Sequence, residues 1–521
     1  MTVQTASPPT DFQSIPERIR EHARTEPQRA ALLDTPEGGG RRLSYGDLDQ
    51  LMDRVAASLQ RDGVKPGEAV AICASSSTLY AAVFLGALRA GVVVAPLAPG
   101  STPQALAGML GDAQARLLFL DAASAATVAE AGRGQIGRIA LDGSDVGPAL
   151  DAWLVPAGTP VQALTLQPAW PFNIIYSSGT TGTPKGIVQS HGMRSAHVNR
   201  GAVYGYGPQS LTLLSTPLYS NTTLVVFFPT LAFGGTVLLM PKFDAGAYLR
   251  LAQQHRMSHT MLVPVQYQRL MAHPAFGEHD LSSTHVKFCT SAPFHAELKA
   301  DVLQRWPGGL VEFYGMTEGG GTCILEAHLH PDKLHTVGRP AETHDIRLID
   351  DEGVEVAPGQ AGEVVGHSAG MMTGYHGQPE KTREAEWFAP DGKRFIRTGD
   401  VGRFDEQGFL TLFDRKKDMI ISGGFNIYPS DLEALLREHP AVAEAAVVGV
   451  PSVAWGETPV AFAVARAGQA LEASVLRDWL NERVGKTQRL SDLQWVEELP
   501  RSAIGKVLKR ELRDAYQAPA A

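Results

Sequence analysis

Short apolar runs separated by helix-period stretches dominate the first third of this 521-residue chain and leave it few ways to fold. AVAIC (69–73), GVVVAPL (91–97), RLLFLD (116–121) and FNIIYSS (172–178) read as strands. Leu48, Leu51, Met52, Val55, Ala56 and Leu59 keep helical spacing, with Ser44 and Asp47 as a start signal and Gly63 as a stop. A second helical stretch runs to about Ala90. Strand, helix, strand at this spacing predicts βαβ units and a largely parallel sheet.

The length is too great for one ordinary core and predicts two to four domains or subdomains. A net charge of -9 argues against an extended basic surface, so no nucleic-acid partner is expected. Cys73, Cys289 and Cys323 are far apart, without a CxxC pair, which fits a reducing, cytoplasmic setting. MTVQTASPPTDF lacks the basic and apolar regions of a secretory signal. The longest apolar run, residues 223–240, is broken by Pro229 and by Gly234-Gly235. It predicts a buried helix-turn-strand, with no integral membrane segment.

Beyond about residue 340 the texture changes to short strands and turns, marked by Glu352-Gly353 and Gln407-Gly408. After Asp414 an α+β pattern follows, in which Ser430 and Glu433 suggest a capping box opening a helix. The expected fold class is α/β: a large N-terminal domain of βαβ-type sheets (1–414) with a β-rich subdomain at about 340–414, then a small α+β domain (415–521). The charged DRKKD (414–418) suits an exposed hinge.

Two signals point elsewhere. GHSAG (366–370) matches the nucleophile elbow of hydrolases, but MMTGYHGQP follows where that motif needs a helix, so a turn is expected. The sixteen histidines contain no HExxH and no His/Cys pairing at ligand spacing.

YSSGTTGTPKG (176–186) directly follows a predicted strand, at the end where open α/β sheets bind ligands. It fails the P-loop spacing, yet its glycines admit an anion to backbone N–H groups, and its hydroxyls and Lys185 add donors. The strand context suggests a strand-helix unit around this loop. VEFYGMTEGGG (311–321), RTGD (397–400), DRKKDMIISGGFNIYPSDLE (414–433) and LPRSAIGKVLKREL (499–512) follow it. In this order the five stretches resemble the adenylate-forming superfamily of acyl-CoA synthetases, aryl-CoA ligases, adenylation domains and luciferases, over residues of about 15 to 515.

The resemblance implies ATP, Mg²⁺ and a thiol such as coenzyme A. A carboxylate attacks the α-phosphorus of ATP, and the thiol then displaces AMP. It implies that Ser177, Ser178, Gly179, Thr180, Thr181, Gly182, Thr183 and Lys185 cradle the β- and γ-phosphates. Glu318 would help hold Mg²⁺, and Thr317 would sit near the α-phosphate. Tyr314 would pack on adenine beside the backbone of Ser291, Ala292 and Pro293, with Asp400 on the ribose and Arg415 on ribose or phosphates. Lys506 matches the lysine of the adenylation step, and Lys417 stands at the hinge position of a mobile small domain. Gly423 and Gly424 would border the pantetheine passage.

STPLYSNTT (215–223) departs from relatives that carry an aromatic-histidine pair: Tyr219 is followed by Ser220, so that histidine's role does not transfer. Ser220 also lacks the aspartate charge that amino-acid adenylation domains place about here. Tyr219, Ser220, Asn221, Phe294, Met316 and Gly319 are the acyl-pocket candidates, uncharged, for an acid with a mainly apolar body: aryl, arylpropenoic or medium-chain aliphatic. Asp244 is expected to be structural. The chain ends soon after Lys506, which favours coenzyme A over a carrier protein as acceptor. A stand-alone enzyme loading a separate carrier, a luciferase-like oxidation and a non-catalytic ATP-binding protein are the alternatives, and the oligomeric state is open.

Overall fold

A computed structural model describes residues 12–131, 136–177, 185–422, 425–452, 455–469, 471–502 and 505–516. The chain divides into two compact units. One comprises Met1–Leu334, Ala341–Asp345 and Gly366–Ile396; the other comprises His335–Pro340, Ile346–Val365 and Arg397–Ala521.

The larger unit holds two sheets. In one, the strands Gly137–Ala140, Leu117–Leu120, Ala69–Cys73, Val93–Pro96 and Pro171–Ser177 are parallel neighbours, as the apolar runs predicted. Lys185–Ser190 and Gly374–Tyr375 extend it antiparallel. The YSSGTTGTPKG segment is therefore spanned by a β-hairpin, and the helix His191–Arg200 follows only after the second strand. This corrects the expected strand-helix unit, because Ile174, Ile175 and Tyr176 pair directly with Val188, Ile187 and Gly186.

In the second sheet Ala30–Asp34, Thr236–Leu239, Leu211–Leu214, His259–Leu262, Val286–Cys289 and Gly309–Gly315 run parallel in that order, with Thr322–Glu326 antiparallel beside the last. The run 223–240 is a buried helix, Asn221–Ala232, a turn, and the strand Thr236–Leu239. Phe84, Phe172 and Phe228 meet with ring centroids 5.2 to 6.1 Å apart in the main core. Each such buried ring contributes roughly 1.5–3 kcal/mol.

The helix Tyr45–Arg61 begins as its sequence dictates. Ser44 Oγ accepts from Asp47 N at 3.1 Å, the Asp47 carboxylate accepts from Ser44 N at 3.0 Å, and Gly63 ends it at φ +74°. Asp244 caps the helix Ala245–Gln254 by accepting from Ala247 N at 2.7 Å.

In the smaller unit, Gly456–Ala465 pairs antiparallel with Val442–Ser452 and parallel with Asp492–Trp495. The helices Pro429–Glu438, Ala473–Asn481 and Lys509–Ala515 complete an α+β body with its own core around Leu432, Leu436, Val447 and Leu476. The expected capping box does not form. The N-cap of Pro429–Glu438 is Tyr428, and Ser430 Oγ has no hydrogen-bond partner. Instead Asp414 accepts from Ser430 N at 2.8 Å, while Glu433 accepts from Val447 N and pairs with Lys509, both at 2.8 Å. A remote carboxylate thus supplies the cap that local pattern assigned to the serine. No helix among the described residues is long and apolar enough to cross a membrane.

Candidate active site

The site is organised around the turn that follows the strand Gly309–Gly315. Three successive carbonyls of this turn are held by two other segments, one around Gln189 and one spanning residues 368–372. Thr317 O accepts from Gln189 Nε2 at 2.8 Å, Glu318 O from Met372 N at 2.7 Å, and Gly319 O from Ser368 Oγ at 2.9 Å. Gly319 takes φ +71°, and a Cβ there would lie 1.8 Å from Gly370 O. Only glycine fits this close approach. Ser368, the serine of the hydrolase-like GHSAG, sits in a turn after its strand as expected, and its hydroxyl supports the loop.

With its backbone fixed, the Glu318 carboxylate meets Tyr375, whose hydroxyl donates to Oε1 at 2.9 Å. Burial and the neighbouring Glu318 push the Tyr375 phenol well up from its ordinary range, so it stays a donor. Lys185 Nζ lies 5.0 Å from the centre of the same ring. A cation and a carboxylate are thereby gathered at one tyrosine, beside the hairpin end where Lys185 pairs with Ser177. Met316 packs with Ile187, Met372 and Tyr375 beneath them.

Gln189 is held in turn by Arg194, whose guanidinium donates to Gln189 Oε1 and to Asn173 Oδ1. Asn173 Nδ2 also donates to Gln189 Oε1, at 3.1 Å, and Gln189 Nε2 donates to Asn221 Oδ1 at 3.5 Å. Ser220 is buried and its hydroxyl accepts from Thr222 N at 3.3 Å, capping the helix Asn221–Ala232. Tyr219 is half-buried beside it, its phenol raised by burial.

Ser291 adopts φ +84°, a conformation that costs a non-glycine residue on the order of 1 kcal/mol or more. Its hydroxyl shares a 2.5 Å hydrogen bond with Thr222 Oγ1, while Thr290 Oγ1 donates to Phe313 O at 2.7 Å. These bonds hold Ser291 and Ala292, both partly accessible, beside the strand Gly309–Gly315, which carries half-buried Tyr314. Pro293 is exposed, whereas Phe294 is 5% exposed and stacks on Tyr267 with centroids 5.1 Å apart. Its ring thus joins the core packing below the loop.

The other expected residues belong to the smaller unit, described by itself. Asp400 and Arg415 are directly opposed on antiparallel strands, with Arg415 Nε 3.2 Å from Asp400 Oδ1. Lys416 pairs with Asp351 at 2.6 Å and Glu363 at 3.4 Å. Lys417 is exposed, and its ammonium pKa is lowered, with desolvation the largest cause. Lys506 is exposed on a tight turn: Ser502 N donates to Lys506 O at 2.8 Å and Lys506 N to Ser502 Oγ at 3.2 Å. Arg501, paired with Glu444 at 2.6 Å, donates to Gly505 O and stiffens that turn. The expected phosphate-loop residues Ser178, Gly179, Thr180, Thr181, Gly182 and Thr183, the side chain of Ser177, and the expected passage glycines Gly423 and Gly424 lie outside the described residues.

Sequence reasoning missed Tyr375, Gln189 and Arg194. Tyr375 stood in the TGYHGQP that was read only as a turn, and nothing local marks Gln189, whose carbonyl partner is 128 residues away.

Glu318 Oε1 accepts from Tyr375, and no hydrogen bond among the described residues engages its Oε2. One open carboxylate suits a hard cation whose remaining ligands come from a polyphosphate. Among the described residues no group of three or more His, Cys, Asp or Glu could hold a metal without such a ligand.

Residues 19–376 match the AMP-binding enzyme family and residues 431–506 the AMP-binding enzyme C-terminal domain. The chain is 34% identical to a feruloyl-CoA synthase of an Amycolatopsis species over 92% of its length and 95% of the relative's. It is 33% identical to an indoleacetate–CoA ligase of Aromatoleum aromaticum, covering 96% and 97% of the two chains. Among solved structures it is similar to ATP-bound MatB from Rhodopseudomonas palustris, with TM-score 0.87, 28% identity and 97% and 99% coverage. The chain belongs to the AMP-binding enzyme family, within the adenylate-forming superfamily and of its acyl- and aryl-CoA ligase type.

Proposed function

We propose that this enzyme joins a carboxylic acid with a mainly apolar body to coenzyme A at the expense of ATP. The observation that carries this reading is the pinned Thr317–Gly319 turn, with Glu318 and Lys185 meeting at Tyr375.

In the first half-reaction a substrate carboxylate oxygen forms a bond to the α-phosphorus. The bond to the bridging oxygen breaks, and pyrophosphate leaves with the electron pair. This chain supplies charge and orientation, with no protein nucleophile. Lys185 and the loop from Ser177 hold the β- and γ-phosphates, and Thr317 contacts the α-phosphate. Mg²⁺, held by Glu318, supplies charge neutralisation on the phosphates when bound. Tyr314 and the backbone of Ser291, Ala292 and Pro293 take adenine, Asp400 accepts from the ribose hydroxyls, and Arg415, already at Asp400, reaches ribose or phosphate. Lys506 bridges the attacking carboxylate and an α-phosphate oxygen.

In the second half-reaction the thiolate of coenzyme A bonds to the acyl carbon and AMP leaves. Residues 415–521 act as the moving domain with Lys417 as pivot, and Gly423 and Gly424 line the thiol's path. The three cysteines are free and buried, in keeping with a cytoplasmic enzyme.

The test is pyrophosphate release and thioester formation by the purified chain over aryl, arylpropenoic and C2 to C16 acids, with and without coenzyme A. Acid-dependent release followed by thioester formation is expected. Release that proceeds to product only with a holo carrier protein would replace coenzyme A as the acceptor.

A further inference from the structure

Three buried polar side chains meet where the hairpin passes into the helix His191–Arg200. Asn173 and Gln189 are opposed across the strands Pro171–Ser177 and Lys185–Ser190, and Arg194 reaches both from the helix. All three are at most 1% exposed. The Arg194 guanidinium lies over the rings of Phe172 and Phe228, at 5.8 and 5.7 Å from their centres. Among the described residues no carboxylate pairs with it, and its Nη1 has no partner.

This cation dictates which way each amide points, because a guanidinium offers donors only. Asn173 Oδ1 accepts from Arg194 Nε and Nη2 at 3.2 and 3.1 Å. Gln189 Oε1 accepts from Arg194 Nη2 and from Asn173 Nδ2. Gln189 must therefore turn its Nε2 away, to the acceptors Thr317 O at 2.8 Å and Asn221 Oδ1 at 3.5 Å. Asn221 thus gives its oxygen to Gln189 and keeps its Nδ2 for something else. Among the described residues Nδ2 has no acceptor, yet it is not one of the sealed, unpartnered polar atoms, and Asn221 is partly accessible.

Asn221 stands between two segments of the candidate active site. Its Oδ1 and Thr317 O flank the same Gln189 nitrogen, and its neighbour Thr222 shares a hydrogen bond with Ser291. In the proposed reaction the attacked phosphorus lies beside Thr317, so a donor next to that turn meets the carboxylate that attacks. We propose that Asn221 is a catalytic donor whose Nδ2–H hydrogen-bonds the acyl oxygen of the acid in both half-reactions, and that Arg194, acting through Gln189, positions it. This rests on the proposed ligase reaction. In the first step the carboxylate oxygen that does not attack accepts from Nδ2, which aims the other oxygen at phosphorus. In the second, the thiolate sulfur bonds to the acyl carbon and the C=O electron pair moves onto the oxygen held by Nδ2–H. That pair returns as the bond from the acyl carbon to the phosphate oxygen breaks, and AMP leaves with the electrons of that bond. The donors behind Asn221 end in a cation, so each bond polarises the next toward the developing charge.

Asn221→Asp tests the donor. It keeps the oxygen facing Gln189, replaces the N–H group by an acceptor, and suits the first residue of the helix Asn221–Ala232, where an acid is favourable. Two rates are measured, with the acid that wild type converts fastest: pyrophosphate release from acid and ATP, and thioester formation from preformed acyl adenylate and coenzyme A. Losing one such donor costs about 100- to 1,000-fold, so both rates should fall by about that factor. Melting temperature and the KM for ATP should not change. Asn221→Leu, which adds no charge, should show the same double loss. Arg194→Met should slow both steps about 10-fold, as loss of one hydrogen bond does, and should add little in the Asn221→Asp background. Arg194→Lys should retain part of the rate, and it replaces the methionine variant if that one unfolds. A rate near wild type in either assay for Asn221→Asp and Asn221→Leu overturns the inference and leaves the ligase standing. So does an Arg194 loss that multiplies fully in the double variant. A wild-type enzyme that forms no thioester from any acid removes the ligase reading, and the inference with it.

Discussion

The Tyr375 hydroxyl donates to Glu318 Oε1 at 2.9 Å, joining residues carried by two different sheets. Tyr375 is set by pairing with Ile187 on the hairpin strand, and Glu318 by the turn after Gly309–Gly315. Their bond fixes the carboxylate relative to Lys185. A hydrogen bond to a charged group is worth about 1.5–3 kcal/mol. Tyr375→Phe is therefore expected to slow single-turnover pyrophosphate release about 10- to 100-fold and to raise the Mg²⁺ concentration needed for half-maximal rate. The ring's packing with Met316 and Met372 should keep the fold intact. A rate within twofold of wild type at every Mg²⁺ concentration would show that the bond does not position Glu318 for catalysis.

Gly319→Ala combines a φ of +71° with a steric clash against Gly370 O and Met193 Cε, the latter 2.7 Å from the new Cβ. Gly408, at φ +78°, meets nothing within 4 Å. Left-handed backbone alone costs alanine roughly 1–2 kcal/mol, so Gly408→Ala should lower stability by about that amount and leave pyrophosphate release nearly unchanged. Gly319→Ala should displace the turn and reduce release by about 100-fold or more. Comparable activities in the two variants would mean the turn tolerates movement.

Much of this was legible because it is local. The strands 69–73 and 117–120, the Ser44–Asp47 cap and the Asp244 cap follow from residues within one turn or one apolar run. What escaped is non-local. Gln189 holds Thr317, and Ser368 holds Gly319, through contacts that no spacing encodes. Ser430 does not cap because the helix begins at Pro429, which puts Ser430 inside the first turn, where Asp414, sixteen residues earlier, accepts from its N–H. The five motifs could be recognised without any of this, and so the reaction was easier to read than the acid.

His191 and His259 are buried and their pKa values are lowered to about 4, with desolvation the principal cause. His259 spends both ring nitrogens inside, on Ser258 Oγ and Tyr204 O. An unfolded histidine takes up a proton near pH 6.5, whereas these take it up only near 4, so unfolding binds protons in between. Stability from each is complete above pH 6.5, declines as the pH falls through that window, and is lost below about 4. The loss should approach about 3 kcal/mol per histidine. Urea unfolding between pH 8 and 4 measures it, and His259→Gln should flatten the decline relative to its own value at pH 8. An identical slope in that variant would assign the acid sensitivity to other groups.

Lys506 gives the sharpest separation of the two half-reactions. Its turn is built by Arg501, Ser502 and Gly505 through backbone bonds that the lysine side chain does not make, so Lys506→Ala should leave the turn and the fold in place. If Lys506 stabilises charge only while the carboxylate attacks the α-phosphorus, its removal costs that step alone, on the order of 100- to 1,000-fold. The same variant, given preformed acyl adenylate and coenzyme A, should release AMP and thioester within a few-fold of wild type. The two rates are measured on one preparation, by pyrophosphate release from acid and ATP and by thioester formation from the adenylate. Equal losses in both would make Lys506 a general binding residue, and the reaction would then need another group to bridge carboxylate and α-phosphate.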